Sequence, residues 1–318
     1  MLLEERNYYK PFNYPWAFDA YKKQQQMHWM PDEVTLSDDI RDYNEKLTPE
    51  NRELLDNIFR FFTQADVDVC CGYAKHYLPT FKQPEVRMML ASFAAMEAVH
   101  QEAYSLLLET LGKSEGIYQE FMDIQAMVEK HEYLSDFSMK TKHDIAKTLA
   151  VYSGFTEGVQ LFSSFAILLN FPRHNLMKGM GQIVTWSIRD ETLHVENVSK
   201  LFRTFIQENP ELWTDKLKYE IYCAAERVVE LEDEFIDVCF AKAQIPDLTA
   251  KEVKEYIRYI ADRRLLGLGL KAIFHSTTNP LPWVDMQVNA VEHTNFFENR
   301  ATEYAKSSTQ GNWQDIFK

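Results

Sequence analysis

The chain has 318 residues and a formal charge of −14, from 34 Lys and Arg against 48 Asp and Glu. Only 10 glycines and 11 prolines argue against a loop-rich β, collagen-like or low-complexity chain and for a helical one. The acidic balance argues against nucleic acid as a partner, because phosphate contacts need clustered cations. Cys70, Cys71, Cys223 and Cys239 contain no C-x-x-C, so neither a disulfide framework nor a zinc ribbon is suggested and a reducing cytoplasm is the expected location. The first ten residues do not read as a signal peptide. No apolar run reaches the roughly 18 residues of a membrane span, so no membrane association is expected.

Residues 1–47 mix aromatics such as Tyr8, Phe12, Trp16 and Trp29 with Pro11, Pro15 and Pro31 and keep no helical period; they predict an aromatic arm laid over a core. Thr48-Pro49-Glu50 offers an N-cap followed by proline, opening a helix through about Tyr77. Pro84-Glu85 starts a second, closed by Gly112. Further helices are expected over 118–130, 143–169, 176–207 and 211–242, and Thr249-Ala250-Lys251-Glu252 is a capping box for another. Nothing between 48 and 265 alternates like a strand. The domain reading is therefore an arm over 1–47, an all-α helical domain over 48–299, and a flexible polar tail over 300–318.

The chemical signal is a set of acids where helical spacing predicts apolar burial. Asp66 falls in the stripe Ile58, Phe62, Asp66, Val69, Cys70, Tyr73. Glu97 and His100 fall in Leu90, Phe93, Glu97, His100, Tyr104, Leu107. Glu157 heads Glu157, Leu161, Phe165, Leu168, and Glu191 and His194 share a face with Ile183, Ser187, Val198 and Leu201. Asp68 points away from its stripe and is expected to face solvent.

Each isolated buried carboxylate costs several kcal/mol or more unless it is protonated, paired or bound to a cation. Four acids and two histidines cannot neutralise one another, whereas a pair of divalent ions can, leaving the imidazoles neutral as ligands. Residues three apart on a helix point the same way, so Glu97/His100 and Glu191/His194 can each hold one ion. This is the pattern of di-metal carboxylate bundles, with one Asp among the single acids. Oxygen-rich donors with one imidazole per ion favour iron or manganese.

With these motifs in place, Glu97-x-x-His100-x-x-x-Tyr104, Glu157-Gly-Val-Gln-Leu-Phe-Ser-Ser-Phe and Arg189-Asp190-Glu191-Thr192-Leu193-His194, the sequence resembles the small, radical-generating subunit of class I ribonucleotide reductase. His28-Trp29-Met30-Pro31-Asp32-Glu33-Val34 and Thr294-Asn295-Phe296-Phe297-Glu298-Asn299-Arg300 extend the likeness over nearly the whole chain. The resemblance implies a ferritin-like bundle with a buried dinuclear site. It implies Asp66, Glu97, His100, Glu157, Glu191 and His194 as ligands of two ions about 3.5 to 4 Å apart.

It also implies Tyr104 as the residue that stores a one-electron oxidant, although some members store it on the oxidised metal cluster. Trp29 and Asp190 are implied as a relay with His100, and Tyr304 as the step toward a large catalytic subunit. Docking of that subunit through the tail, by Phe317 or Trp313, and a homodimer are expected too. The rival readings are a metal-dependent oxidase acting on its own substrate and a ferritin-type store. No phosphate-binding glycine loop or reactive dithiol is evident, so the nucleotide is expected to bind elsewhere.

Overall fold

The computed structural model describes residues 1–135 and 137–288, and among these there is no strand. Two α-helices lie in the N-terminal segment, α1 (Pro15–Gln26) and α2 (Ser37–Arg41). α3 (Pro49–Gly72) begins where the Thr48 hydroxyl accepts from the Asn51 backbone N–H, relieving one of the unpaired amides of a helix start. A π-helical segment, Tyr73–Tyr77, and the single turn α4 (Leu78–Thr80) continue it. α5 (Pro84–Thr110) opens on its proline, and α6 covers Gln125–Ser135.

α7 (Lys142–Thr148) has a Thr141/Asp144 capping box and runs into a π-helical stretch, Leu149–Glu157. α8 (Phe162–Arg173) follows after a turn at Gln160 and Leu161. α9 (Lys178–Glu208) starts on a buried carboxylate: Asp39 accepts from Gly179 N at 2.9 Å and Met180 N at 2.8 Å. Negative charge suits the positive end of a helix. α10 (Asp215–Phe240) is capped by Thr214, and α11 (Ala250–Gly267) by the expected Thr249/Glu252 box.

Three local expectations change. The arm contains a regular helix, α1, which packs on α5 and α9 and buries Ala17, Ala20 and Gln24. The helix expected over 118–130 lies further along, as α6. The expected helix over 143–169 is interrupted, because distant side chains take up the carbonyls its turn releases: Arg264 Nε donates to Gly158 O at 2.9 Å and Lys130 Nζ to Gln160 O at 3.1 Å. Insertion of side chains into the backbone ladder is an ordinary cause of a helix break.

Asp68 also departs from expectation. α6 covers it, and its carboxylate sits 2.5 Å from His131 Nδ1 and accepts from Gln64 Nε2 at 3.0 Å.

α3 packs on α5, and α9 packs on α5, α8 and the Leu149–Glu157 stretch. The apolar stripes of these elements face inward, with Ile58, Phe62, Leu90, Phe93, Phe165, Ile183 and Val198 all buried. Gly72 is needed for this packing, since a Cβ there would stand 2.0 Å from the Tyr152 hydroxyl. Residues Met1–Leu281 form one compact unit; beyond it, residues 282–288 are described and helical.

Candidate metal centre

The acids that helical spacing places inside the bundle are there. Asp66 on α3, Glu97 and His100 on α5, Glu157 at the end of the π-helical stretch, and Glu191 and His194 on α9 are all at most 1 % exposed. Two groups of three converge: Asp66, Glu97 and His100, and Glu97, Glu191 and His194. Within each group, one ligand atom per residue lies within 4.8 Å of the others. Glu97 belongs to both. Glu157 stands outside these two groups, and its Oε2 accepts from the Tyr73 hydroxyl at 3.1 Å.

The histidine tautomers follow from the outer partners. His100 Nε2 donates to Asp190 Oδ2 at 3.3 Å, and His194 Nε2 donates to Gln24 Oε1 at 3.0 Å. A neutral imidazole that donates from Nε2 keeps its lone pair on Nδ1. Both Nδ1 atoms face the carboxylates: His100 Nδ1 is 3.4 Å from Glu97 Oε2 and 3.3 Å from Glu191 Oε1, and His194 Nδ1 is 3.0 Å from Glu97 Oε1.

Asp66 Oδ2, both Glu97 oxygens, Glu157 Oε1, Glu191 Oε2 and His194 Nδ1 are buried without a hydrogen-bond partner. Such orphaned atoms are costly in a protein interior. The convergence of the Asp66, Glu97, Glu191 and His194 side chains fits a bound cation, and the donor set of carboxylates plus one imidazole per group suits iron or manganese.

Without a cation, protons carry the compensation. Burial drives the Asp66 and Glu157 carboxyls well above the ordinary carboxylate range. Burial also works against charge on His194, but the Glu191 and Glu97 carboxylates facing its Nδ1 overcome it and raise the imidazole to about 10. His100 is raised likewise, against burial, by Asp190, Glu191 and Glu97. Glu191 is lowered by the two imidazoles despite its burial.

Outside these two groups, Trp29 is buried in the link between α1 and Pro31, and its indole Nε1 donates to Asp190 Oδ2 at 2.8 Å. The Trp29 and His100 rings are stacked at 5.9 Å. Gln24 Nε2 donates to Asp190 Oδ1 at 3.2 Å, so one amide links Asp190 to His194. Tyr104 is buried, stacked on Phe62 at 4.7 Å and 6°, and donates to Ser187 Oγ at 3.3 Å. Sequence reasoning passes over Gln24, which sits in a Lys-Lys-Gln-Gln-Gln run that looks solvated, and treats Tyr73 as stripe filling. The signal for Tyr73 is its place seven residues beyond Asp66 on the same face.

Residues 6–280 match the family model described as ribonucleotide reductase, small chain. The chain belongs to that family. It is 46% identical to the probable ribonucleoside-diphosphate reductase small subunit 376L of Invertebrate iridescent virus 6, over 99% of this chain and 98% of that protein. It is 33% identical to the ribonucleoside-diphosphate reductase subunit beta of Chlamydia pneumoniae, over 95% and 90%.

Among solved structures, the ribonucleotide reductase R2 subunit from Clostridium botulinum superposes with a TM-score of 0.81 at 22% identity, over 87% of this chain and 89% of that one. Streptococcus sanguinis dimanganese(II)-NrdF gives 0.77 at 21%, over 88% and 99%. These two likenesses show the ferritin-like fold. Family membership makes the chain a class I ribonucleotide reductase small subunit, an oxidoreductase component that works with a large subunit. Among the described residues, no helix is long and apolar enough to cross a membrane. Thr294–Arg300, Tyr304, Trp313 and Phe317 lie outside the described residues.

Proposed function

We propose that this chain stores a one-electron oxidant beside two metal ions, manganese or iron, held by Asp66, Glu97, His100, Glu157, Glu191 and His194, and passes it to the large catalytic subunit. The observation that carries the reading is the set of buried, partnerless atoms on Asp66, Glu97, Glu157, Glu191 and His194. Bound there, two redox-active ions supply the oxidising power to remove one electron from a buried side chain. Manganese gains support from the dimanganese relative.

The residues of the chain divide the remaining work. Asp190 and Gln24 fix both imidazoles with Nδ1 inward. Tyr104 holds the oxidant: its ring lies against Phe62, which cannot take the oxidant over, and its only described hydrogen bond is to the neutral Ser187 hydroxyl. Burial favours the protonated phenol and raises its pKa. Trp29, joined to Asp190 and through it to His100, carries the electron path outward, and Tyr304 in the tail continues it while Phe317 docks the large subunit. The chain works as a homodimer in the cytoplasm.

Metal-depleted protein loaded with Mn(II) or Fe(II) alone, treated with oxidant and examined by electron paramagnetic resonance is the test. The reading expects two ions per chain and an oxidised signal. A chain that loads metal but forms neither a radical nor an oxidised cluster with oxygen, peroxide or superoxide would overturn it.

A further inference from the structure

The phenol best supplied with a proton acceptor is not Tyr104. The Tyr73 hydroxyl donates to a carboxylate, Glu157 Oε2, at 3.1 Å, while among the described residues Tyr104 meets only a serine hydroxyl, at 3.3 Å. A phenol that loses an electron must also release its proton, and a base already in hydrogen-bond contact lets the two leave together. Tyr73 is fully buried and stands edge-on to His194, with ring centroids 6.3 Å apart at 77°. Tyr104 lies one turn beyond His100 on α5.

The surroundings of the two rings differ in a second way. Tyr104 is followed by Phe62 and then Phe165, at 4.7 and 5.2 Å, and neither is readily oxidised. Tyr73 is followed by Tyr77 at 5.4 Å and Tyr152 at 5.9 Å. Each of these hydroxyls also has an acceptor: Tyr77 donates to Thr148 O at 3.4 Å, and Tyr152 to Asp68 O at 2.8 Å. The rings stacked beyond Tyr104 are phenylalanines, suited to storage, whereas those beyond Tyr73 are a line of phenols.

We infer that Tyr73 is a second oxidisable residue of this centre, heading a tyrosine line, Tyr73–Tyr77–Tyr152, on the Glu157 and His194 side. Tyr73 gives one electron to the one-electron oxidant formed at the centre, which is thereby reduced, and its hydroxyl proton passes to Glu157 Oε2, leaving a neutral phenoxyl radical. Tyr77 and Tyr152 are the further positions that this radical can reach. The inference rests on the proposed function, which supplies the oxidant.

The full-length protein, loaded with Fe(II) or Mn(II) and oxidised with hydrogen peroxide, is freeze-quenched as wild type, Tyr104→Phe and Tyr104→Phe/Tyr73→Phe, and each spectrum is normalised to bound metal. A tyrosyl signal that persists in Tyr104→Phe and is lost in the double variant is the expected result. Peptide mapping of oxidised Tyr104→Phe is the second readout and does not depend on the double variant loading metal; it expects oxidised tyrosine at position 73. Wild-type protein that forms its oxidant while Tyr104→Phe gives no tyrosyl signal and no oxidised Tyr73 overturns this inference alone. Wild-type protein that forms no oxidant overturns the proposed function as well.

Discussion

Trp29 and Asp190 are joined by a 2.8 Å hydrogen bond from the indole Nε1 to Oδ2, the same oxygen that receives His100 Nε2 at 3.3 Å. The two residues therefore have separable duties. Trp29→Phe removes a donor and leaves His100 its acceptor, so metal content and the oxidised spectrum should match wild type. Turnover with the large subunit should fall by about 10- to 100-fold or more, as for other outer partners of metal-site residues. Asp190→Asn also weakens the grip on His100 and should lower metal affinity as well. Equal metal loss in both variants would show that Trp29 is only packing.

Much of this arrangement was legible in the sequence, because the acids of α5 and α9 interrupt unbroken apolar stripes. Glu97, His100, Glu191 and His194 need only helical spacing to be placed on one face. What remained hidden depends on residues far apart in the chain. Lys130 and Arg264 hold the carbonyls that break the helix before α8, and nothing in the local sequence of 143–169 announces them. Asp68 finds His131 only because α6 crosses α3. Gln24 looks solvated until its neighbours Asp190 and His194, more than 160 positions away, are brought to it.

Glu97 is common to both groups of candidate ligands, so a single substitution should disable both. In wild-type protein, an ion that binds only the folded state should stabilise by about 2.7 kcal/mol at a free concentration 100 times its Kd. Glu97→Ala should abolish most of that rise in thermal unfolding temperature with Mn(II). A full metal-induced shift in this variant would place the ions elsewhere.

The pH dependence of the metal-free protein has a definite sign. The His194 imidazole is held at about 10 against an ordinary 6.5, with Glu191 and Glu97 outweighing its burial. Its contribution to stability is therefore complete below pH 6.5 and is lost as pH rises through 10. The raised Asp66 and Glu157 carboxyls, which burial keeps protonated, act in the same direction above the ordinary carboxylate range. Metal binding displaces these protons, so affinity should rise with pH and protons should be released on binding. Thermal unfolding with and without Mn(II) between pH 6.5 and 10 should show the metal-induced shift growing. A shift that shrinks with pH would contradict this proton-for-metal exchange.

Lys130 and Glu232 form a second buried ionic cluster, away from the ligands. Lys130 Nζ is 2.5 Å from Glu232 Oε1, donates to Gln160 O, and lies 3.9 and 4.2 Å from the ring centroids of Phe61 and Phe235. Ser163 Oγ donates to the same carboxylate. Both charged groups are fully buried, and burial lowers the lysine and raises the acid, each partly offset by the other. Because removing one partner strands the other, Lys130→Met should destabilise the protein by about 3 to 5 kcal/mol. Lys130→Met/Glu232→Leu removes both charges and should recover a substantial part of that loss. Urea denaturation of the two variants decides the matter: a double variant no more stable than the single one would mean that Lys130 acts through its stem and the two aromatic rings, not through Glu232.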